Sequence, residues 1–337
     1  MSELHDNAAE LVTFAGVDEA GLGPLLGPLC FGYSVFRAPR NAADLWKTLE
    51  PQVSATVGAE GERFVVADSK VVFSRTARGA KRLEKTALGF LALLDPKRRP
   101  PSNGHALAFD SPRELALDAG LIAAHPWYAP LEAALPRHQE LGALELSVER
   151  LSRALAKARV ELVDAGVRVI PERQLNESFA RTDNKSLSAW NELSPILQRV
   201  YEKHAQAGLR LTVDRQGGRS HYAPLLSSLF RGSSVRTLRE SAPLSAYVVT
   251  ERNGPRRMRV IFAERGEQHS FAVALGSCLA KYARETCMDA FNTTFTRHDP
   301  RLAPTAGYTT DGRRWFEDAT SALAAAGVRR EDLARTR

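Results

Sequence analysis

The chain has 337 residues, 44% hydrophobic and 25% charged, with a net charge of +7 and a sequence pI of about 9.5. This is an ordinary soluble globular mix, long enough for a substantial core, and its apolar runs fall well short of a membrane span. Cys30, Cys278 and Cys287 form no CxxC pair, which argues against a disulfide framework and a zinc ribbon. The start MSELHDNAAE is polar and acidic, unlike a signal peptide, so a cytoplasmic protein with reduced thiols is expected. A basic surface favours phosphate-bearing partners.

In chain order, residues 1–10 read as a flexible N-terminus. Residues 11–17 and 29–36 read as two strands flanking an acidic, glycine-rich turn. Ala42–Leu49 suits a short helix, Arg63–Ala67 a short strand leading into ADSK, and Arg75–Leu94 a helix with apolar residues at helical spacing. Pro96–Gly104 (PKRRPPSNG) is the clearest break and reads as an exposed loop. Residues 105–170 read as mostly helical, with a long helix over Leu141–Ala165 capped by Gly166 and then a strand at Val167–Ile170. Ser186–Ala207 reads as a helix and Leu209–Val213 as a strand ending in Asp214. Val235–Leu238, Ala246–Thr250 and Met258–Phe262 read as strands of a hairpin-rich segment, with ERNGPRR as a turn. Phe271–Phe291 and Arg313–Ala326 read as helices. Strands alternating with helices predict an α/β fold.

Two segments share one pattern. In FAGVDEAGLGPLLGP an apolar strand ends in Asp18 and Glu19 and then turns on glycine; in LRLTVDRQGGR a strand ends in Asp214 before Gly217 and Gly218. A lone strand-end acid is commonly a solvated turn residue, but neighbouring strands would bring these carboxylates together at the C-terminal edge of a sheet. FAERGEQHSF offers a fourth acid, Glu264 or Glu267. Converging carboxylates repel unless cations neutralise them, and their oxygens suit Mg²⁺ and Mn²⁺.

VDEAGLGPLLGP resembles the opening motif of the type 2 ribonuclease H (ribonuclease HII) family, DEaGRGplaGP. Four further segments are similar in the same order: ADSK at Ala67–Lys70, LTVDRQGGR, GEQHSFAVALGSCLAKYARE, and AGYTTDGRRW at Ala306–Trp315. The resemblance covers most of 11–326, with divergent or inserted parts near 95–165 and 229–260. It implies a ribonuclease H-like mixed sheet flanked by helices, with a catalytic domain over 11–295 and a helical, substrate-contacting segment over 296–337. The implied metal ligands and catalytic residues are Asp18, Glu19, Asp214 and Glu267, holding two Mg²⁺ or Mn²⁺ ions. The implied nucleic-acid contacts are Gly21, Leu22 and Gly23 at the ribose, Ser69 and Lys70 at phosphate, and Tyr308 on the sugar. Leu22 stands where the family has arginine, Glu267 where it has Asp, and Ala306 where it has a basic residue.

The expected activity is cleavage of RNA in RNA–DNA hybrids, or at ribonucleotides embedded in duplex DNA, leaving 5′-phosphate and 3′-hydroxyl ends. The alternatives are a catalytically weakened nucleic-acid-binding relative and a nuclease of the same fold with altered specificity. A monomer is expected. Among other residues, His269 reads as a surface residue at a helix start. Lys281 reads as a contact to either a phosphate or an acid. Arg173, Arg215 and Arg219 read as channel-lining or solvated, and Cys278 and Cys287 as core.

Overall fold

The computed structural model describes residues 10–58, 62–97, 99–102 and 124–336. In chain order its strands are β1 (Leu11–Ala20), β2 (Leu29–Pro39), β3 (Val53–Ser54), β4 (Phe64–Val65), β5 (Glu161–Ile170), β6 (Leu209–Asp214), β7 (Ser233–Glu240), β8 (Leu244–Glu251) and β9 (Arg257–Ala263). Its helices are α1 (Leu45–Thr48), α2 (Ser69–Val72), α3 (Ala77–Ala92), α4 (Leu141–Ala158), α5 (Glu172–Thr182), α6 (Lys185–His204), α7 (Ala223–Leu229), α8 (Phe271–His298), α9 (Thr309–Asp318), α10 (Thr320–Ala326) and α11 (Arg330–Leu333).

Seven strands form one mixed sheet in the order β5-β2-β1-β6-β9-β8-β7. β2 runs antiparallel to both β5 and β1, β6 and β9 run parallel to β1, and β8 and β7 close the far side as an antiparallel hairpin. This is the expected mixed sheet flanked by helices. Alternating side chains send Val17, Tyr33, Leu211, Val260 and Tyr247 to one face, where they pack with Leu175, Leu193 and Val200 of α5 and α6. The opposite face of β1 and β2 carries α8.

Helix α8 lies so close that side chains on the strands beneath it are excluded. A Cβ on Gly16 would fall 2.1 Å from Val273 N, and one on Gly32 would fall 2.1 Å from Gly276 O. Ser34 Oγ donates to Ala272 O at 2.9 Å between the two layers. Every residue from Phe271 to Ala280 is buried, which explains why this stretch is apolar or small all round rather than striped.

Several boundaries differ from the sequence reading. The helix expected to reach Ala165 ends at Ala158, where Arg159 adopts a left-handed conformation, φ 56°, and Val160 N–H bonds back to Leu155 O at 2.9 Å. Gly166 is no cap: it sits inside β5, opposite Tyr33. The β-formers Leu162, Val163, Val167 and Val169 find a ladder partner in β2, and that pairing overrides the helical spacing. Ala42–Leu49 resolves into a turn at Arg40–Ala42 and the short α1, whose N-cap is Asp44. The C-terminal helix divides at Ala319 into α9 and α10, and α5 was not foreseen. In the Pro96–Gly104 break, Pro100 is buried against expectation, while residues 98, 103 and 104 lie outside the described residues. So do the expected flexible stretch over 1–9 and the helical expectation over 105–123. Among the described residues no helix is long and apolar enough to cross a membrane. All three cysteines are free and buried.

Candidate metal centre and its glycine loop

Parallel pairing of β1 with β6 sets Val17 beside Val213, so Asp18 and Asp214 emerge as neighbours one residue further on. Both project to the α8 face. Glu19 alternates to the other side of the pleat, yet Asp18, Glu19 and Asp214 each offer an oxygen within 4.8 Å of the other two. Glu267 lies outside that trio. It is buried on the turn Gly266–Gln268 just before α8, where Gly266 N–H donates to Asp214 Oδ1 at 2.9 Å.

Burial first, and then the charge of Asp214, push the Asp18 carboxyl up to about 8 from 3.8; Glu267 adds to the rise. Burial and the charge of Asp18 raise Glu19 well above its usual range. Asp214 rises to about 6, again chiefly by burial, with Gly266 N–H and Lys70 acting against the rise and Glu267 with it. Three acids close together in a desolvated pocket oppose their own ionisation.

The ADSK segment braces this pocket through α8. Ser277 hydrogen-bonds Asp18 and favours its ionised form. The same hydroxyl lies 3.0 Å from Ser69 Oγ and accepts Ser69 N–H at 3.4 Å. Ser69 is buried, whereas Lys70 is exposed and its charge favours the ionised forms of Glu19 and Asp214.

The loop after β1 is fixed from behind by groups distant in sequence. Gly21 has φ +92°, and a Cβ there would meet Arg284 Nε at 2.4 Å, so both conformation and space require glycine. Arg335 is buried beneath the loop and donates to the carbonyls of Gly21, Pro24 and Gly27. Burial, then the nearby Arg284, lower its pKa to about 10. Arg284 donates to Leu26 O at 3.1 Å and Ala306 O at 3.2 Å. Buried Glu172 accepts Gly27 N–H at 3.0 Å and the Tyr128 hydroxyl at 2.9 Å. The Gly307 carbonyl accepts Leu25 N–H at 2.7 Å and Leu26 N–H at 3.0 Å, which brings Tyr308 beside the loop. Tyr308 is 51% exposed, and the Arg284 guanidinium lies 5.9 Å from its ring centroid. Gly23 is exposed with open space around it, while Leu22 packs against the core.

Other residues singled out in the sequence lie as follows. Glu264 is ion-paired with Arg215 at 2.7 Å, which directs it away from the trio. Arg215 also donates to Gly218 O and Arg219 O, holding the turn after β6, and Arg219 bonds Ser186. Lys281 pairs with Glu285 at 2.5 Å over the Phe73 ring. Arg173 pairs with Asp332 at 3.3 Å, and His269 is exposed. Cys278 is buried and bonds Ala67 O at 3.4 Å. Sequence reading missed Ser277, Glu172, Arg284 and Arg335. Ser277 carried a signal, a lone hydroxyl in an otherwise apolar helix face; the others became visible only when distant segments met.

No family model matches this chain, and no curated protein does. Solved structures are similar to it. Ribonuclease HII of Archaeoglobus fulgidus, solved in complex with PCNA, is 15% identical, with 97% of this chain and 95% of that chain covered and a TM-score of 0.42. Ribonuclease H2 of Pyrococcus horikoshii OT3 is 13% identical, with 96% and 92% covered and a TM-score of 0.40. Bst-RNase HIII, in complex with Mn²⁺, is 15% identical, with 98% and 67% covered and a TM-score of 0.44.

Proposed function

We propose that this chain is a metal-dependent endonuclease of the type 2 ribonuclease H family. On this reading it cuts RNA in RNA–DNA hybrids, or ribonucleotides embedded in duplex DNA, leaving 5′-phosphate and 3′-hydroxyl ends. The observation that carries this reading is the meeting of Asp18, Glu19 and Asp214 within 4.8 Å, at the end of two parallel strands and beside a backbone loop held from behind.

The donor set fits Mg²⁺ or Mn²⁺. It is all oxygen, its members repel one another when ionised, and three carboxylates can share hard cations. Asp18, Glu19 and Asp214 would hold the ions, with Glu267 close enough to contribute charge or a bound water. When bound, the ions supply a lowered water pKa and stabilisation of a departing oxygen. The chain's own residues do the rest. Gly21 to Gly23 present backbone groups to a ribose, with the arginine of the related motif replaced by the inward-packed Leu22. Lys70 supplies a positive charge for phosphate. Tyr308, on the segment 296–337, offers a half-exposed ring to the sugar. Recognition by these groups is of backbone, 2′-hydroxyl and groove shape rather than of base sequence.

The test is a cleavage assay on three duplexes: an RNA–DNA hybrid, a DNA duplex with one embedded ribonucleotide, and an all-DNA control, each in Mg²⁺ and in Mn²⁺. Cleavage of either ribose-containing substrate, none of the control, and loss of activity in Asp214→Asn are expected. Tight binding without cutting in both metals would identify a non-catalytic binder. Equal cutting of the control would assign a different specificity.

A further inference from the structure

The β7–β8 hairpin extends the sheet beyond β9. Paired residues on adjacent strands share a face. Register lines therefore place Arg236, Val248, Arg259 and Arg210 in one row across β7, β8, β9 and β6, ending at Phe14 of β1. The neighbouring rows add Arg257, opposite Thr250, and Arg239, opposite Ala246. All five arginines are exposed. They stand on the same face as Asp214 and beyond the strands that α8 covers. Arg210, Arg236, Arg257 and Arg259 form no salt bridge with any described residue, whereas Arg215 and Arg256, at the ends of the same strands, are paired at 2.7 and 2.6 Å. Between the row and Asp214, the described side chains on this face are uncharged or basic.

We infer that this open arginine face is a docking surface for the sugar-phosphate backbone of a nucleic-acid duplex, leading it into the carboxylate pocket. The inference rests on the endonuclease reading for the identity of the pocket, and it commits to nucleic acid on charge and shape. Arg210 lies four residues before Asp214 on β6, about 13 Å at ~3.3 Å per residue, and the row spans roughly 14 Å at ~4.8 Å per strand. An area of that size spans several phosphates on one strand, where charges recur about every 3.4 Å. The aromatic side chain at the end of the row, Phe14, is half-buried and stacked on Phe36 rather than free to stack unpaired bases, so the face suits a duplex backbone rather than a single strand. Open faces of antiparallel sheets are commonly solvated and edge strands commonly charged. Those habits call for mixed charge, not four guanidinium groups of one sign without an ion pair among the described residues.

The test combines Arg210→Ala, Arg236→Ala and Arg259→Ala in the full chain. Binding of an RNA–DNA hybrid is followed by fluorescence anisotropy in EDTA across a salt series, so that cleavage plays no part. Three lost phosphate contacts should weaken binding roughly eightfold each at 0.1 M salt and flatten the log–log salt slope by about 2.7. The matching Lys variant, which keeps charge and stem, should bind near wild-type strength and covers the case of an Ala variant that fails to fold. A control that removes the same charge from α4, Arg150→Ala with Arg153→Ala and Lys157→Ala, should bind nearly normally. Wild-type affinity and slope in the Ala variant, or an equal loss in the control, would overturn the inference. So would intact duplex binding with lost binding of polyglutamate, which would mark an acidic protein partner. If the wild type cuts nothing yet the Ala variant loses binding, the endonuclease reading falls and the docking surface stands.

Discussion

Asp18→Asn should make the metal-free protein more stable, and increasingly so as pH rises. Burial and neighbouring acids raise Asp18 from 3.8 to about 8, so the folded state binds a proton more tightly than the unfolded chain does. A group whose folded pKa is raised leaves stability undisturbed below the unfolded value, near pH 4, and lowers it progressively up to the folded value, near pH 8. The full shift is about 4 units at ~1.4 kcal/mol each. Neighbouring acids relax when one of them ionises, so roughly 3–5 kcal/mol is expected at pH 8. Asparagine is nearly isosteric, keeps an oxygen to accept Glu19 N–H, now at 2.7 Å, and carries no charge. For a chain of 337 residues that gain corresponds to roughly 4–7 °C in Tm. The assay is thermal melting of wild type and variant in EDTA between pH 4 and 8.5. The two curves should meet at the acid end and diverge upward, and saturating Mn²⁺ should narrow the gap by stabilising only the wild type. Parallel curves, or a variant less stable than wild type at pH 8, would refute the claim that this pocket stores charge repulsion.

Ser277→Ala removes the hydroxyl that favours ionised Asp18 and should raise the Mn²⁺ concentration for half-maximal stabilisation roughly tenfold, read by melting against a metal titration; an unchanged midpoint would deny Ser277 that role. Arg335→Ala leaves the carbonyls of Gly21, Pro24 and Gly27 without their buried donor and should lower stability by about 3–5 kcal/mol. Hydrogen exchange should quicken most over 21–27, and uniform loosening would argue against a local clamp. Gly32→Ala forces a methyl to within 2.1 Å of Gly276 O and should cost about 1–3 kcal/mol or more, measured by denaturant unfolding.

The strands that build the site were legible because each is a short apolar run of β-formers, and Asp18, Glu19 and Asp214 because an acid at a strand end before glycine is a local pattern. Parallel pairing of two such strands then leaves the acids little choice but to meet. The carboxylate of Glu267 was legible only through its motif; its position on a turn outside the trio follows from where α8 begins. Val167–Ile170 was rightly read as strand, but the first half of β5 was misread because its apolar residues continue the helical spacing of α4, and only the ladder edge of β2 decides between the two. The supports of the glycine loop were illegible for a deeper reason. Arg335 and Glu172 are charged residues in polar surroundings of sequence, and a buried charge is recognisable only by its partner. Those partners are backbone groups up to 314 positions away and, for Glu172, also the Tyr128 hydroxyl.

The division of labour among cations explains why the pocket stays acidic. Arg284 and Arg335 are buried close behind the loop, and their donors go to the carbonyls of Gly21, Pro24, Leu26, Gly27 and Ala306. Arg215, next to Asp214 in sequence, is drawn off by Glu264, and Lys281 by Glu285. Exposed Lys70 is left as the side-chain cation that eases the ionisation of Glu19 and Asp214. A guanidinium facing the trio would neutralise the charge that draws a divalent ion. Directing these donors to backbone carbonyls does two things at once: it ties down the loop after β1, and it leaves in the pocket a negative charge that a divalent ion would neutralise.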